Sequence, residues 1–293
     1  MPQLRSLIEG IDVSPWPSMK LNRANELLAT LFGQVGVWNA SRSFMAPVQV
    51  SVDRQYVELL APRGSRPPAD EWALALGDAV HNARSALDGL VWDLAHLDGG
   101  TPKRPRSLAF PIVSDERKWR EAVDRNLSGV SDIFVERIKA VQPFLHPQED
   151  GVASWLHVLS ELDNADKHRG LIVAVPIINA LSIEGMSLQL DMASAEQQGS
   201  FRVENRFDEL PDGEPLARLS FGRSIAKNSV VPAVAHVEFQ PSVRYRDSLF
   251  APELIRTDAL AHVNGVLSFL RTGVQPEDEA REEVKLSPKP SAG

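Results

Sequence analysis

From Asp70 to Leu94 the apolar residues Trp72, Leu76, Val80, Ala83, Leu87, Leu90 and Leu94 recur every three or four positions until Asp98-Gly99-Gly100 interrupts them. Such a stripe is incompatible with a strand and long enough to organise a helical core. Asp70 is placed to cap its start. The other helices follow from the same reasoning. Leu21, Leu27, Leu28, Leu31 and Val35 predict a helix over Met19–Trp38, after the breaker Ser14-Pro15-Trp16-Pro17-Ser18. Shorter helices are expected at Asp115–Asp124 and Asp132–Val141, a longer one from about Gly151 to His168, and a last amphipathic one opened by Pro252.

Beyond Gly170 the texture changes to strand. Leu171–Val175 suits a buried strand, and Leu188–Leu190, Phe201–Val203, Ala217–Phe221 and Ala235–Phe239 are separated by turn residues. Alternation over Val48–Leu60 around Asp53-Arg54-Gln55 reads as a hairpin that can join this sheet. The expected fold class is α+β: a helical bundle (18–169 and 252–272) with an antiparallel sheet (170–245) inserted before the C-terminal helix. Together with the hairpin at 48–60 these make one domain over 18–272. Residues 275–293, charged and then rich in Pro and Ser, are expected to be a disordered tail.

The chain has 293 residues and no cysteine, which excludes disulfides, thiolate catalysis and Cys-ligated metals. A net charge of −8 disfavours nonspecific nucleic-acid binding but leaves room for a local basic pocket. Met1–Gly10 lacks the apolar core of a signal peptide and no run of about 18 apolar residues occurs, so a cytoplasmic protein without a membrane partner is expected. The excess of arginine over lysine, with abundant alanine, reads as the coding bias of a GC-rich bacterium or its phage.

Two short windows concentrate the chemistry. His81-Asn82-Ala83-Arg84-Ser85-Ala86-Leu87-Asp88 and Asp163-Asn164-Ala165-Asp166-Lys167-His168-Arg169 hold two histidines, two arginines, a lysine, two asparagines and three aspartates. At about 100° per residue, His81, Arg84, Asp88 and Trp92 share one flank of the second helix. That flank is either solvated, with one Arg84–Asp88 pair, or covered, as the large Trp92 ring suggests. On the later helix His157, Glu161, Asn164 and His168 fall opposite Val152, Trp155, Leu159 and Leu162. Asp166 returns to the apolar side, where it needs Arg84 or Arg169 as a partner. Lys167-His168-Arg169 also suits a helix C-terminus, but that dipole leaves Asp163, Asn164 and Asp166 unexplained.

His157 and His168 are separated by about 16 Å of helix and cannot share an ion, and no HExxH signature is present, so neither metal nor other cofactor is expected. Acid–base chemistry on a phosphodiester fits better: histidine moves the proton and Arg or Lys stabilises phosphoryl charge. The candidate catalytic residues are His81, Arg84, Asp88, Asp166, Lys167 and His168. The candidate binding residues are Asn82, Ser85, Trp92, Asn164 and Arg169, with Ser85 a weaker candidate nucleophile because no elbow motif surrounds it.

The blocks Asp78–Asp88, Phe110-Pro111-Ile112, Gln142-Pro143-Phe144 and Leu162–Arg169 resemble a widespread group of uncharacterised bacterial proteins, marked by HNxRSALD and NxDKHR, over roughly residues 70–175. More loosely, the helical part resembles the HEPN (higher eukaryotes and prokaryotes nucleotide-binding) superfamily. That resemblance implies a homodimeric, metal-independent RNase of a toxin or phage-defence type, with RNA or a nucleotide as partner. The superfamily's arginine, followed four to six residues later by histidine, is matched at Arg256 and His262. Two rival readings stand beside it: a non-catalytic binding or regulatory module with a buried polar network, and a metal-dependent hydrolase of the bundle type.

Overall fold

A computed structural model describes residues 14–41, 45–61, 67–146, 152–169, 174–182, 202–205, 213–220, 224–246, 248–273 and 284–285. The fold is α+β, and no described helix is long and apolar enough to cross a membrane. The chain divides into two compact units. The first comprises Met1–Leu31, Ala73–Val173 and Val243–Gly293, and the second Phe32–Trp72 and Ala174–Ser242.

The first unit is helical. Helix α1 spans Trp16–Ser41 and α2 spans Ala69–Ala95; the short helices α3 (Trp119–Asn126) and α4 (Asp132–Ala140) follow. Pro17 sits inside the first turn of α1 rather than before it, as the fixed φ of proline permits where no intrahelical N–H partner exists. The first turn of α2 is closed by Pro68, whose carbonyl accepts from the Trp72 N–H at 3.1 Å, so Asp70 lies within the helix and not at its cap. In α2, Leu76, Val80, Ala83, Leu87 and Leu90 are fully buried, as the stripe predicts. Each buried Leu stabilises by roughly 1.5–3 kcal/mol.

Helix α5 spans Trp155–Arg169, beginning later than expected because Val152–Ala153 form a short strand, β3, paired with Val284–Lys285 (β9). The rest of the expected disordered tail lies outside the described residues. The last helix starts at Pro252 and passes from Pro252–Leu254 (α6) through a π-turn at Ile255–Ala259 into Leu260–Thr272 (α7). Helix α7 packs on α4 and α5.

The second unit holds the sheet, in strand order β4 (Ala174–Ser182), β7 (Val234–Tyr245), β1 (Met45–Val50), β2 (Tyr56–Leu60), β6 (Pro215–Ser220) and β5 (Arg202–Asn205). The pairings of β1 with β2 and β7, and of β6 with β2 and β5, are antiparallel. The N-terminal hairpin therefore lies inside the sheet. Its turn is held by Arg54, at φ 58°, whose guanidinium donates to the carbonyls of Ile225 and Ala226 at 2.7 Å each. Val57, Leu59, Leu216 and Leu219 form the core of this unit. The expected strand at Leu188–Leu190 lies outside the described residues. In the first unit, the end of β7 pairs antiparallel with β8 (Ser248–Phe250), and Phe250 meets Trp155 edge to face at 6.0 Å.

Candidate functional site

Helices α2 and α5 face each other, and the two polar windows meet through a residue the phasing argument had left aside. Asp163 is only 3% exposed, and its two carboxylate oxygens take different partners: Oδ1 lies 3.0 Å from His81 Nδ1, and Oδ2 accepts from Lys167 Nζ at 2.7 Å. The apolar stripe of α5 is wider than Trp155, Leu159 and Leu162 suggest. With Leu156 and Val158 buried as well, it covers about 160° of the wheel and takes in Asp163. A carboxylate buried there is stabilised only by charged or hydrogen-bonding partners, and His81 and Lys167 supply them.

Since a carboxylate can only accept, His81 Nδ1 carries a proton and donates it, which leaves Nε2 as the ring nitrogen not engaged by Asp163. The ring is 47% exposed on its side chain, and Nε2 lies 3.4 Å from Ser85 Oγ, one turn along α2. Asn82 neighbours this group; its Nδ2 donates to the Asp78 carbonyl and its Oδ1 accepts from Lys20 at 3.2 Å. His81, Ser85 and Lys167 thus adjoin one patch with Asp163 beneath it, while the Asn82 side chain is bonded to Lys20 and the Asp78 carbonyl.

The other candidates separate from this group. Arg84 donates to Asp88 Oδ1 at 2.6 Å and to the Phe110 carbonyl at 2.5 Å, while Asp88 Oδ1 accepts from the Phe110 N–H at 2.8 Å. The pair clamps the backbone of Phe110. Gln142, fully buried, completes the clamp: its Oε1 accepts from the Val113 N–H at 2.9 Å, and its Nε2 donates to the carbonyls of Pro111 and Ile138. Polar residues of the first and third sequence blocks, Arg84, Asp88 and Gln142, therefore hold the irregular segment 110–113, which contains the second block, in place.

Asp166 is not paired with Arg84, whose guanidinium is engaged by Asp88 and the Phe110 carbonyl. Its carboxylate occupies the space beside Gly77 on α2, 2.5 Å from where a Cβ would stand, so the absence of a side chain there makes room for it. Trp92 does not cover the His81 flank; it is 48% exposed and its ring stacks against His96 at 4.3 Å. His168 and Arg169 belong to the last turn of α5, and their side chains are outside the described residues. Arg256 donates to Asn25 Oδ1 at 2.9 Å from within the π-turn, and His262 stands on α7.

A cleft of about 460 Å³ opens between segment 112–126 and α5. Along its wall His157 Nδ1 is 3.0 Å from Ser114 Oγ, and Nε2 accepts from Arg246 at 2.8 Å. Arg246, at φ 53° in the turn between β7 and β8, also donates to both oxygens of Glu161, at 3.1 and 3.2 Å. Burial holds the His157 imidazole below its ordinary range; Glu161 pulls it up and Arg246 pushes it down. Burial opposes ionisation of Glu161, but Arg246 and its neighbours outweigh that and lower it. Tyr245, beside them, is raised by burial and by Glu161. Sequence reasoning grouped His157, Glu161 and Asn164 on one face but had no means of finding Ser114 or Arg246, which arrive from distant segments. Among the described residues no three His, Asp or Glu side chains are grouped as ligands for one metal ion.

Compared with family models, curated proteins and solved structures, the chain matches none.

Proposed function

We propose that the chain is a metal-independent ribonuclease, or a protein that binds a nucleotide, and that its chemistry is centred on His81. One observation carries the reading: a buried carboxylate, Asp163, 3.0 Å from His81 Nδ1, which holds the imidazole through that nitrogen and leaves Nε2, in the neutral ring, as the one that takes a proton. In RNA cleavage the 2′-hydroxyl attacks the adjacent phosphorus, its proton passes to Nε2, and the bond to the 5′-oxygen breaks as that oxygen takes a proton from water. The Lys167 ammonium supplies positive charge near the phosphoryl oxygens, and Asn82 and Ser85 supply hydrogen bonds. Arg84 and Asp88 act here as positioning residues for segment 110–113.

The order Asp163–His81–Ser85 also follows the logic of an acyl-transfer triad. Ser85, however, lies in the middle of α2, where backbone N–H groups are engaged along the helix, so no pair of them is left to form an oxyanion hole. That favours phosphoryl over acyl chemistry. The resemblance to HEPN proteins adds to the proposal a HEPN-like bundle, a homodimer and a cytoplasmic toxin or phage-defence setting. A second reading, a binding or regulatory module, draws support from the clamp, because Arg84, Asp88 and Gln142 spend their hydrogen bonds on backbone.

The test is incubation with total RNA, with and without EDTA, for the native chain beside His81→Ala, Asp163→Asn and His168→Ala. Cleavage that survives EDTA and falls at least about 100-fold in His81→Ala is expected. Cleavage abolished by EDTA would point instead to a metal-dependent hydrolase, and no cleavage under any condition sinks the ribonuclease.

A further inference from the structure

We propose that the cleft between segment 112–126 and α5 binds a small phosphate ester of about the size of a nucleoside monophosphate. It is separate from the His81–Asp163 pair: Ser160, Asn164 and His157 stand about 60–120° around the helix from Asp163. This proposal goes beyond the reading at His81 and does not depend on it.

The cleft's size falls within the span of about 300–1,000 Å³ common to small-molecule sites. The charge along it decides the ligand class. Asp115 is neutralised by Arg117, which grips it through both oxygens at 2.8–3.2 Å, and Glu161 is neutralised by Arg246. The Arg246 N–H directed at Nε2 is compatible only with an uncharged His157 ring. That leaves Lys118, Glu121 and Arg125, none of which forms an ion pair among the described residues. The remainder is one net positive charge in a chain of net charge −8. Lys118 and Arg125, seven residues and about two helical turns apart, face the same opening.

Opposite these cations, α5 offers Ser160 and Asn164, whose hydroxyl and amide have no hydrogen-bond partner among the described residues. Cations on one wall and neutral donors and acceptors on the other match a molecule with an anionic head and a hydroxyl-bearing body. A phosphate ester of a sugar satisfies both walls, since its oxygens accept from Lys118 and Arg125 while ribose hydroxyls exchange hydrogen bonds with Ser160 and Asn164. The wall itself is rigid, because Gln142 and the Arg84–Asp88 pair fix the backbone from which Ser114 and Asp115 project.

Isothermal titration of the full chain with AMP, ribose 5-phosphate and adenosine tests the assignment. Both esters are expected to bind with Kd below about 1 mM and adenosine to bind at least about tenfold more weakly. Lys118→Gln with Arg125→Gln, two exposed positions, is expected to weaken the esters at least about tenfold, and Ser160→Trp to block them by filling the cleft. Loss of ester binding in the Lys118/Arg125 variant or in Ser160→Trp, with RNA cleavage retained, separates this site from the proposed catalytic group. The proposal is overturned if neither ester binds, if adenosine binds as tightly as AMP, or if the Lys118/Arg125 variant keeps native affinity.

Discussion

Gln142 shows how much one buried side chain can carry. It satisfies an N–H and a carbonyl of the irregular segment 110–113 and a carbonyl in the last turn of α4. Leaving a buried backbone group without a partner costs about 1–3 kcal/mol. Gln142→Ala is therefore expected to lower stability by roughly 2–4 kcal/mol in urea unfolding, and a loss below about 0.5 kcal/mol would show that water replaces the amide. The sequence marked Gln142 only as part of a block, because a polar residue before proline looks like any turn. Asp163 was hidden for a related reason: phasing from Val152, Trp155, Leu159 and Leu162 drew the core face too narrowly, and Leu156 and Val158 had to be seen buried before an aspartate could be placed among them. Arg84 and Asp88 were correctly read as neighbours one helical turn apart. Their shared partner, the backbone of Phe110, could not be read, since nothing local indicates which loop a distant pair will hold.

At the scale of elements, helix ends decide much of the outcome. Gly273 closes α7 at φ 73°, and the space its Cβ would fill is taken by the Arg137 guanidinium, which donates to the Leu270 carbonyl at 2.8 Å. Gly273→Ala meets two costs, a left-handed backbone and a displaced cap, and is expected to destabilise by roughly 2 kcal/mol. Gly33, in the interior of α1 with nothing within 4 Å of its Cβ position, provides the contrast. Gly33→Ala is expected to stabilise by about 0.5–1 kcal/mol, so melting curves of the two variants should move in opposite directions. Helix existence was legible here because the 3.6 period is a property of the segment alone. Boundaries were less so: the start of α5 depends on a pairing between Val152–Ala153 and Val284–Lys285, residues far apart in sequence.

For the whole molecule, the segregation of helices from strands was legible because periodicity changes near Gly170 and returns to helical after Pro252. The hairpin's membership of the sheet also followed from its alternation, while its central position between β7 and β6 did not. Global stability should register the His157 group as pH falls. Because the folded state holds His157 below its ordinary value of 6.5, the unfolded chain takes up the proton first. The stabilisation is present above pH 6.5 and lost as pH falls through the lower folded value; Glu161, lowered from 4.5, adds a loss of the same sign in more acid solution. Melting temperatures from about pH 8 to 5 should therefore decline, and His157→Gln should flatten the decline below pH 6.5. Equal slopes for the two proteins would remove His157 as the cause.

The clamp on segment 110–113 recognises main-chain atoms of Phe110, Pro111 and Val113 and none of their neighbours' side chains. Shape and surface chemistry are thereby uncoupled along the wall. Ile112 and Ser114 can be exchanged while the backbone path persists, so drift at these positions would alter which molecules the cleft admits before it altered whether the chain folds. Tolerance to mutation and retuning of ligand preference then reside in the same few residues, with Arg84, Asp88 and Gln142 as the fixed frame that permits both.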